Sequence, residues 1–370
     1  MNPTAPGLPA AAGRENNLTF VRLFLACLVL VSHAPEIVDG NRRRELLFRL
    51  FHDWSLGQVA VAGFFLLSGY LILQSWERAP RLAPYLAKRW RRILPGFAFA
   101  SLVSALVVGP LASDARQYFS QFQPLEFLTG VALLKPPVVP PVFAGSFYPL
   151  VNGSMWTIEY EARCYLVVAA LGLAGITRRR WCWAVVTAAV FLLWRNETLA
   201  RVLAFPGARH VILDRTQFLC FLSFFCTGGC FYLFRDRIPY SRPGILLAAL
   251  AVNLGLLIPA LAQPTLALAG AYLLFAFSFA RLPGLAWFGG STDLSYGVYL
   301  YGWPTQKLIH WYAPALSPWW LLLLTVPVCL TCGLLSWRFI EKPLLRPAAR
   351  ASTLAAQPAG FGGTGLRPHQ

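Results

Sequence analysis

Charged residues are scarce in this sequence, and acidic residues are scarcest. Of 370 residues only 13% are charged and 57% are hydrophobic, with a mean hydropathy of +0.54. This composition excludes a soluble globular protein, so the solvent of most of the chain is lipid. The 15 acidic residues face 32 Lys and Arg residues. Those cations lie in short segments between apolar runs, as membrane orientation requires. They indicate contact with membrane lipids and argue against nucleic acid as a partner.

Metal-binding patterns are also lacking. The eight cysteines fall almost entirely within apolar runs, where cysteine is usually a small buried hydrophobe. Cys329 and Cys332 have a CxxC spacing but no neighbouring histidine or acid, which disfavours zinc or redox chemistry. We therefore predict no metal and no permanently bound cofactor.

The apolar runs predict an all-α polytopic membrane protein, a bundle of about ten transmembrane helices. The expected spans are 20–38, 57–76, 93–112, 154–175, 182–194, 216–234, 244–261, 264–280, 292–312 and 319–339. The short, strongly basic segment 78–92 is expected in the cytoplasm, and alternation from it places both termini there. The basic run at 42–44 falls outside in this scheme and is its one exception.

Three regions follow from this reading. Residues 1–16 form an N-terminal cytoplasmic tail, 17–346 the transmembrane domain, and 347–370 a disordered C-terminal cytoplasmic tail rich in Ala, Gly, Pro and Thr. The first span is too long and too polar for a cleaved signal peptide. The external segment 113–153 contains Pro136, Pro137, Pro140 and Pro141 and is expected to fold over the outer mouth.

Two ionisable residues lie inside the first span, where such residues mark functional sites. Eleven helical steps from Arg22 to His33 return to within about 20° of the same face, about 16 Å along the axis. One stripe therefore carries a cation near one surface and an imidazole deeper in. The alternative is that Arg22 reaches back to the lipid phosphates and His33 caps a buried carbonyl group.

A second polar cluster opens the fourth span. Glu159 and Arg163 have the i,i+4 spacing of a helical ion pair. Glu161 points about 200° away from Glu159, so it needs another partner, and we expect that partner to be His33. A carboxylate on an imidazole raises its basicity and fixes its tautomer, as a general base for a hydroxyl requires.

Several motifs in their order resemble acyltransferase family 3, integral-membrane enzymes that O-acylate sugars and related acceptors. They are Arg22 and His33 with ten residues between them, the Phe-Phe-Leu-Leu-Ser-Gly-Tyr run at 64–70, the basic run 88–95 that ends in Ile-Leu-Pro, Trp156-Thr157-Ile158 with Glu161 and Tyr165, the run 294–300, and Ile340-Glu341-Lys342-Pro343. The chain departs from the family at Gly302, near which many members carry a histidine. It also lacks the soluble esterase-like domain of some members, so a separate extracytoplasmic partner protein is possible.

The resemblance implies a membrane enzyme that moves an acyl group, usually acetyl, from cytoplasmic acyl-CoA to a hydroxyl of a saccharide or lipid-linked glycan. It implies a location in the bacterial cytoplasmic (inner) membrane. His33 becomes the general base, Glu161 its orienting partner, and Arg22 a contact for the CoA arm or the developing charge. Lys88, Arg89, Arg91 and Arg92 are expected to bind the donor phosphates, with lipid anchoring as the alternative. Trp156, Ser154, Tyr296 and Tyr299 are the expected acceptor contacts, although the tyrosines also suit simple packing.

Other functions stay open at this point. A transporter or flippase of a glycolipid or small anion also suits many spans with buried charge, but the chain shows no internal repeat. A polymerase or glycosyltransferase acting on lipid-linked donors would need a large acidic external loop. Within an acyltransferase, Ser68 or Ser154 is a candidate acyl-carrying nucleophile, but the sequence places no base beside either.

Overall fold

The computed structural model describes residues 16–203, 207–208, 212–282, 285 and 292–345, and within them the secondary structure is entirely helical. The α-helices are α1 (Leu18–Asp39), α2 (Leu46–Phe51), α3 (Leu56–Arg78), α4 (Leu82–Val103), α5 (Gly109–Leu111), α6 (Ala115–Gln121), α7 (Pro124–Ala132), α8 (Trp156–Leu173), α9 (Arg180–Arg195), α10 (Glu197–Ala200), α11 (Arg215–Leu233), α12 (Arg242–Leu256), α13 (Pro259–Thr265), α14 (Ala271–Phe279), α15 (Ser295–Tyr312), α16 (Pro318–Ser336) and α17 (Lys342–Leu345). Short π-helical turns join α4 to α5, α13 to α14 and α16 to α17. Apart from residue 16, the two predicted tails, 1–16 and 347–370, lie outside the described residues.

Six helices in the described ranges are long and apolar enough to cross a membrane. They are Leu18–Asp39, Leu56–Arg78, Leu82–Leu111, Arg215–Leu233, Pro259–Phe279 and Pro318–Leu345. Helices also occupy the other four predicted positions, but α9 and α12 are only 16 and 15 residues long, and α8 and α15 carry polar side chains. The chain is thus a helical multi-pass membrane protein, while the full count of ten spans and the cytoplasmic termini stay predictions.

Helices α1 and α3 run antiparallel in direct contact, and their register fixes the depth of the polar residues. A β-carbon built on Gly63 would lie 3.0 Å from Leu25, and one built on Gly57 would lie 2.9 Å from Ser32. Extending that register places Ser68, near the middle of α3, at the level of the first turns of α1. His33 lies at the opposite level, beside the start of α3.

Helix α3 also packs against α11 through glycines. A β-carbon on Gly69 would lie 1.8 Å from the carbonyl oxygen of Phe225, and one on Gly228 would lie 2.0 Å from that of Leu66. Small residues at such positions let two helix backbones meet without side chains between them. This close packing against α11 fixes the position of α3, which forms one wall of the site described below.

The segment before α8 descends along α15 instead of staying at the surface. The indole nitrogen of Trp303 donates to the Leu150 carbonyl at 3.2 Å, and the Asn152 amide donates to the Leu300 carbonyl at 2.9 Å. The Tyr299 hydroxyl then donates to the Ser154 carbonyl at 2.7 Å. These contacts follow α15 toward its start, so α8 begins inside the bundle and not at the outer entrance that the sequence suggested.

Candidate functional site

A cavity between α1, α3, α8 and α15 gathers several of the predicted site residues. Its volume is about 50 Å³, and it is lined by Arg22, Val61, Phe64, Phe65, Ser68, Thr157, Ile158, Glu161, Ser295, Tyr296 and Tyr299. Four of the eleven predicted site residues, Arg22, Glu161, Tyr296 and Tyr299, are therefore brought together. The rest of the wall is largely apolar, which strengthens electrostatic interactions within it.

Glu161 has different partners from the one expected. The Ser68 hydroxyl donates to its Oε1 at 2.5 Å, and the Tyr165 hydroxyl donates to the same oxygen at 2.6 Å. The expectation that Glu161 pairs with His33 is therefore wrong. The reason is the depth of α8, because its early start inside the bundle carries Glu161 to the middle of α3. The statement that Ser68 has no neighbouring base is also wrong, since the Glu161 carboxylate lies beside it.

His33 pairs instead with an acid on its own helix. Its Nδ1 lies 2.8 Å from Oε2 of Glu36, and both side chains are nearly buried, with exposed fractions of 13% and 11%. Arg42 closes on the same carboxylate at 2.9 Å, and the Trp303 ring meets the imidazole edge-on at 4.9 Å. Sequence reasoning missed Glu36, although three helical steps bring it to a neighbouring position on one face.

The same contacts account for the exceptional basic run at 42–44. Arg42 is paired with Glu36, and Arg44 is paired with Asp39. Two of its three cations are thus neutralised locally.

A cluster of two arginines and two acids lies at the Arg22 end of the cavity. Arg22 Nη1 and Arg92 Nη2 donate to the same oxygen of Asp293, at 2.8 and 2.5 Å. Arg92 also donates to Glu341 at 3.4 Å. Asp293 was missed because its partners, Arg22 and Arg92, are 271 and 201 positions away in the sequence.

The four cations predicted to bind the donor lie on two different faces of helix α4. Lys88 and Arg91 are exposed, whereas Arg89 and Arg92, three residues apart, turn inward and are partly buried. Arg89 donates to the Ser75 hydroxyl at 3.2 Å, and its Nε is buried without a hydrogen-bond partner among the described residues. An unsatisfied buried donor marks a place where a ligand oxygen would be favourable.

The remaining predicted contacts lie away from the cavity. The Trp156 side chain is 40% exposed and packs on Tyr160 and Phe221. The Ser154 hydroxyl is buried and makes no hydrogen bond within the described ranges. Acceptor binding by Trp156 and Ser154 stays a prediction. The Glu159–Arg163 ion pair expected from the i,i+4 spacing is confirmed at 3.0 Å.

The bundle of apolar helices, the nearly buried His33–Glu36 pair and the inward-facing arginines define a helical membrane protein with ionisable side chains held among its helices. Residues 15–338 match the family model described as an acyltransferase domain. The chain belongs to this family, acyltransferase family 3, and is an acyltransferase.

Two of the relatives with known names align with nearly the whole chain, and a third aligns with half of it. The O-acetyl transferase of Shigella phage Sf6 is 26% identical over 352 residues, covering 90% of this chain and 96% of that protein. Nodulation protein 10 of Rhizobium leguminosarum bv. viciae is 28% identical over 375 residues, covering 92% and 96%. The acyltransferase MdmB of Streptomyces mycarofaciens is 24% identical over 187 residues, covering 50% of this chain and 46% of its own length. No solved structure matches the chain.

Proposed function

We propose that this acyltransferase moves an acyl group, most simply acetyl, from cytoplasmic acyl-CoA to a hydroxyl of a cell-surface saccharide or lipid-linked glycan, in the bacterial inner membrane. The observation that carries the proposal is the His33–Glu36 pair on the same helix as the cavity arginine, Arg22. The name of the phage relative, an O-acetyl transferase, supports acetyl as the group transferred.

His33 has the surroundings of a general base. The Glu36 carboxylate, held by Arg42, accepts a hydrogen bond from Nδ1–H, so Nε2 is left as the basic nitrogen. Nε2 takes the proton of the acceptor hydroxyl as the oxygen attacks the thioester carbonyl. The carbon–sulfur bond then breaks, and the CoA thiolate accepts a proton from the imidazolium. Glu36, not Glu161, thus takes the orienting role.

The donor reaches His33 from the other end of α1. Arg22 and the inward-facing Arg89 offer guanidiniums that match phosphate oxygens. Arg92, also predicted to bind the donor, is already paired with Asp293 and Glu341. Arg22 and His33 are about 16 Å apart along the helix, a distance that the pantetheine arm of CoA can span, and the Arg22 end of that path borders the cavity. Glu161 lines that path, where it accepts hydrogen bonds and keeps Ser68 and Tyr165 in place.

Two readouts test the proposal. Purified protein supplied with acetyl-CoA should release the free CoA thiol only when an acceptor is present, and His33→Ala should lower that rate roughly 10²- to 10⁴-fold at unchanged expression. A transporter or flippase would release no thiol. Full activity in a stably expressed His33→Ala protein would refute the base assignment.

The acceptor can be identified in cells. We would compare by mass spectrometry the surface polysaccharide and lipid-linked glycans of a deletion strain that carries either wild type or His33→Ala. An acyl-sized mass present only with wild type would identify the acceptor, whereas identical spectra would contradict a glycan acceptor.

A further inference from the structure

Arg22 and Arg92 approach from different helices and share one carboxylate oxygen. Both guanidiniums donate to Oδ2 of Asp293, at 2.8 and 2.5 Å. The other oxygen of Asp293 accepts from the Ser295 hydroxyl at 2.5 Å and from its backbone N–H at 3.2 Å. Asp293 therefore occupies the face of Arg22 that a phosphate would need.

The two arginines are held unequally. Arg92 has a second acid, Glu341, and its guanidinium lies over the rings of Tyr296 and Trp337 at 5.8 and 5.7 Å. The pair with Asp293 is the one salt bridge that Arg22 makes in the described part of the chain. The Arg22 side chain is 27% exposed and lines the cavity.

This asymmetry means that Arg22 alone is exchangeable. If an anion draws Arg22 away, Asp293 keeps Arg92 and the two donors of Ser295, so no buried charge is left without a partner. Removing Arg92 would break several contacts at once. The cluster thus has one fixed cation and one that can change partner.

Exchange of Arg22 between a phosphate and Asp293 would help the reaction at the step of product release. Acyl-CoA and its product CoA carry the same phosphates, so transfer of the acyl group does not weaken the phosphate contacts. A cation left free in an apolar cavity would hold both molecules tightly. Release of CoA is favoured if a protein carboxylate reclaims the arginine.

We propose that Asp293 is a positioning residue that competes with the donor phosphates for Arg22 and thereby speeds the release of CoA. The inference rests on the proposed use of acyl-CoA. On this inference, Asp293 lowers the affinity for the donor and raises kcat. A purely structural Asp293 would have the opposite effect on affinity, because its loss would disorder both arginines.

The test is Asp293→Asn in the full chain, purified in detergent, with CoA itself as the probe. We expect CoA to bind roughly tenfold more tightly, by about 1.4 kcal/mol, with a lower KM for acyl-CoA and a lower kcat. Because product release becomes limiting, a rapid-mixing experiment should show a burst of acylated acceptor equal to the enzyme concentration. Weaker CoA binding, or no burst, would overturn the inference.

Two matched variants isolate the carboxylate. Asp293→Glu keeps the charge, so its CoA affinity should stay near that of wild type. Asp236→Asn removes the same charge from an exposed pair with Arg180, so its CoA affinity should not change. Tighter binding in either variant would show that competition by Asp293 is not the cause.

If Asp293→Asn does not fold, a milder variant still tests the inference. Ser295→Ala removes a hydroxyl that stabilises the Asp293 carboxylate when Arg22 leaves, so it should weaken CoA binding by roughly twofold without lowering kcat. Tighter binding, or a lower kcat, would count against the inference. If wild type itself binds no CoA, the proposed function fails. If wild type binds CoA and neither variant changes that binding as expected, only the role of Asp293 fails.

Discussion

At the scale of single residues, the Glu36 carboxylate joins the imidazole of His33 to the guanidinium of Arg42. We expect Glu36→Gln to lower kcat roughly 10²-fold, because an amide can hold the ring but cannot stabilise the imidazolium that forms. The KM for acyl-CoA should change little, since the donor cations lie at the other end of α1. Initial rates against donor concentration would measure both constants, and an unaltered kcat would exclude Glu36 from the mechanism.

Helical spacing predicts which residues close in sequence share a face, but it does not predict contacts between residues that are distant in sequence. Arg22 and His33 are identified by helical periodicity, and Glu36 could have been found by the same rule. The pairing of Arg22 with Asp293 was beyond that reasoning, because the two residues are 271 positions apart and Asp293 precedes its helix. The misassigned partner of Glu161 has a similar origin, since the depth of α8 is set by hydrogen bonds to α15.

At the scale of elements, α4 presents cations on two faces. We expect Arg89→Ala to raise the KM for acyl-CoA roughly tenfold, about 1.4 kcal/mol, because its buried Nε has no other hydrogen-bond partner among the described residues. Arg91→Ala is the matched control, since Arg91 lies on the exposed face, and its donor KM should be near that of wild type. Equal effects in both variants would indicate general attraction of CoA, not a defined contact.

The contact between α3 and α11 allows no side chain at its closest points. Gly69→Ala would place a β-carbon against the Phe225 carbonyl oxygen, and we expect destabilisation of roughly 1–3 kcal/mol or more. Gly130→Ala in α7 is the control, because its β-carbon would meet only Val138, at 4.0 Å. Thermal unfolding in detergent measures both. Equal melting temperatures for Gly69→Ala and wild type would contradict the close packing.

At the scale of the whole molecule, the predicted orientation can be tested with cysteine labelling. None of the described cysteines is fully exposed, so the background should be low. We expect an impermeant maleimide to label Ser120→Cys in intact cells but to label Asp236→Cys only after permeabilisation. The reversed pattern would place the termini outside.

The membrane class, the all-α fold and the helix positions follow from composition and apolar runs alone. The number of helices that cross the bilayer does not, because a helix such as α8 carries Glu159, Glu161 and Arg163 inside the protein. Those charges lower its apparent hydropathy while neighbouring helices shield them. Helical periodicity is a property of one helix, whereas the shielding of its charges from lipid depends on the neighbouring helices of the folded bundle.

In the proposed mechanism, the distance between Arg22 and His33 along α1 also sets the length that the donor must have. With a phosphate at Arg22, the acyl carbon must lie about 16 Å away to meet His33. Acetyl phosphate, in which acyl group and phosphate are directly joined, can reach one of these two residues but never both. The length is also hard to adjust, because inserting one residue between the two would turn His33 by about 100° away from the path. The proposed mechanism therefore requires a donor with a long flexible arm.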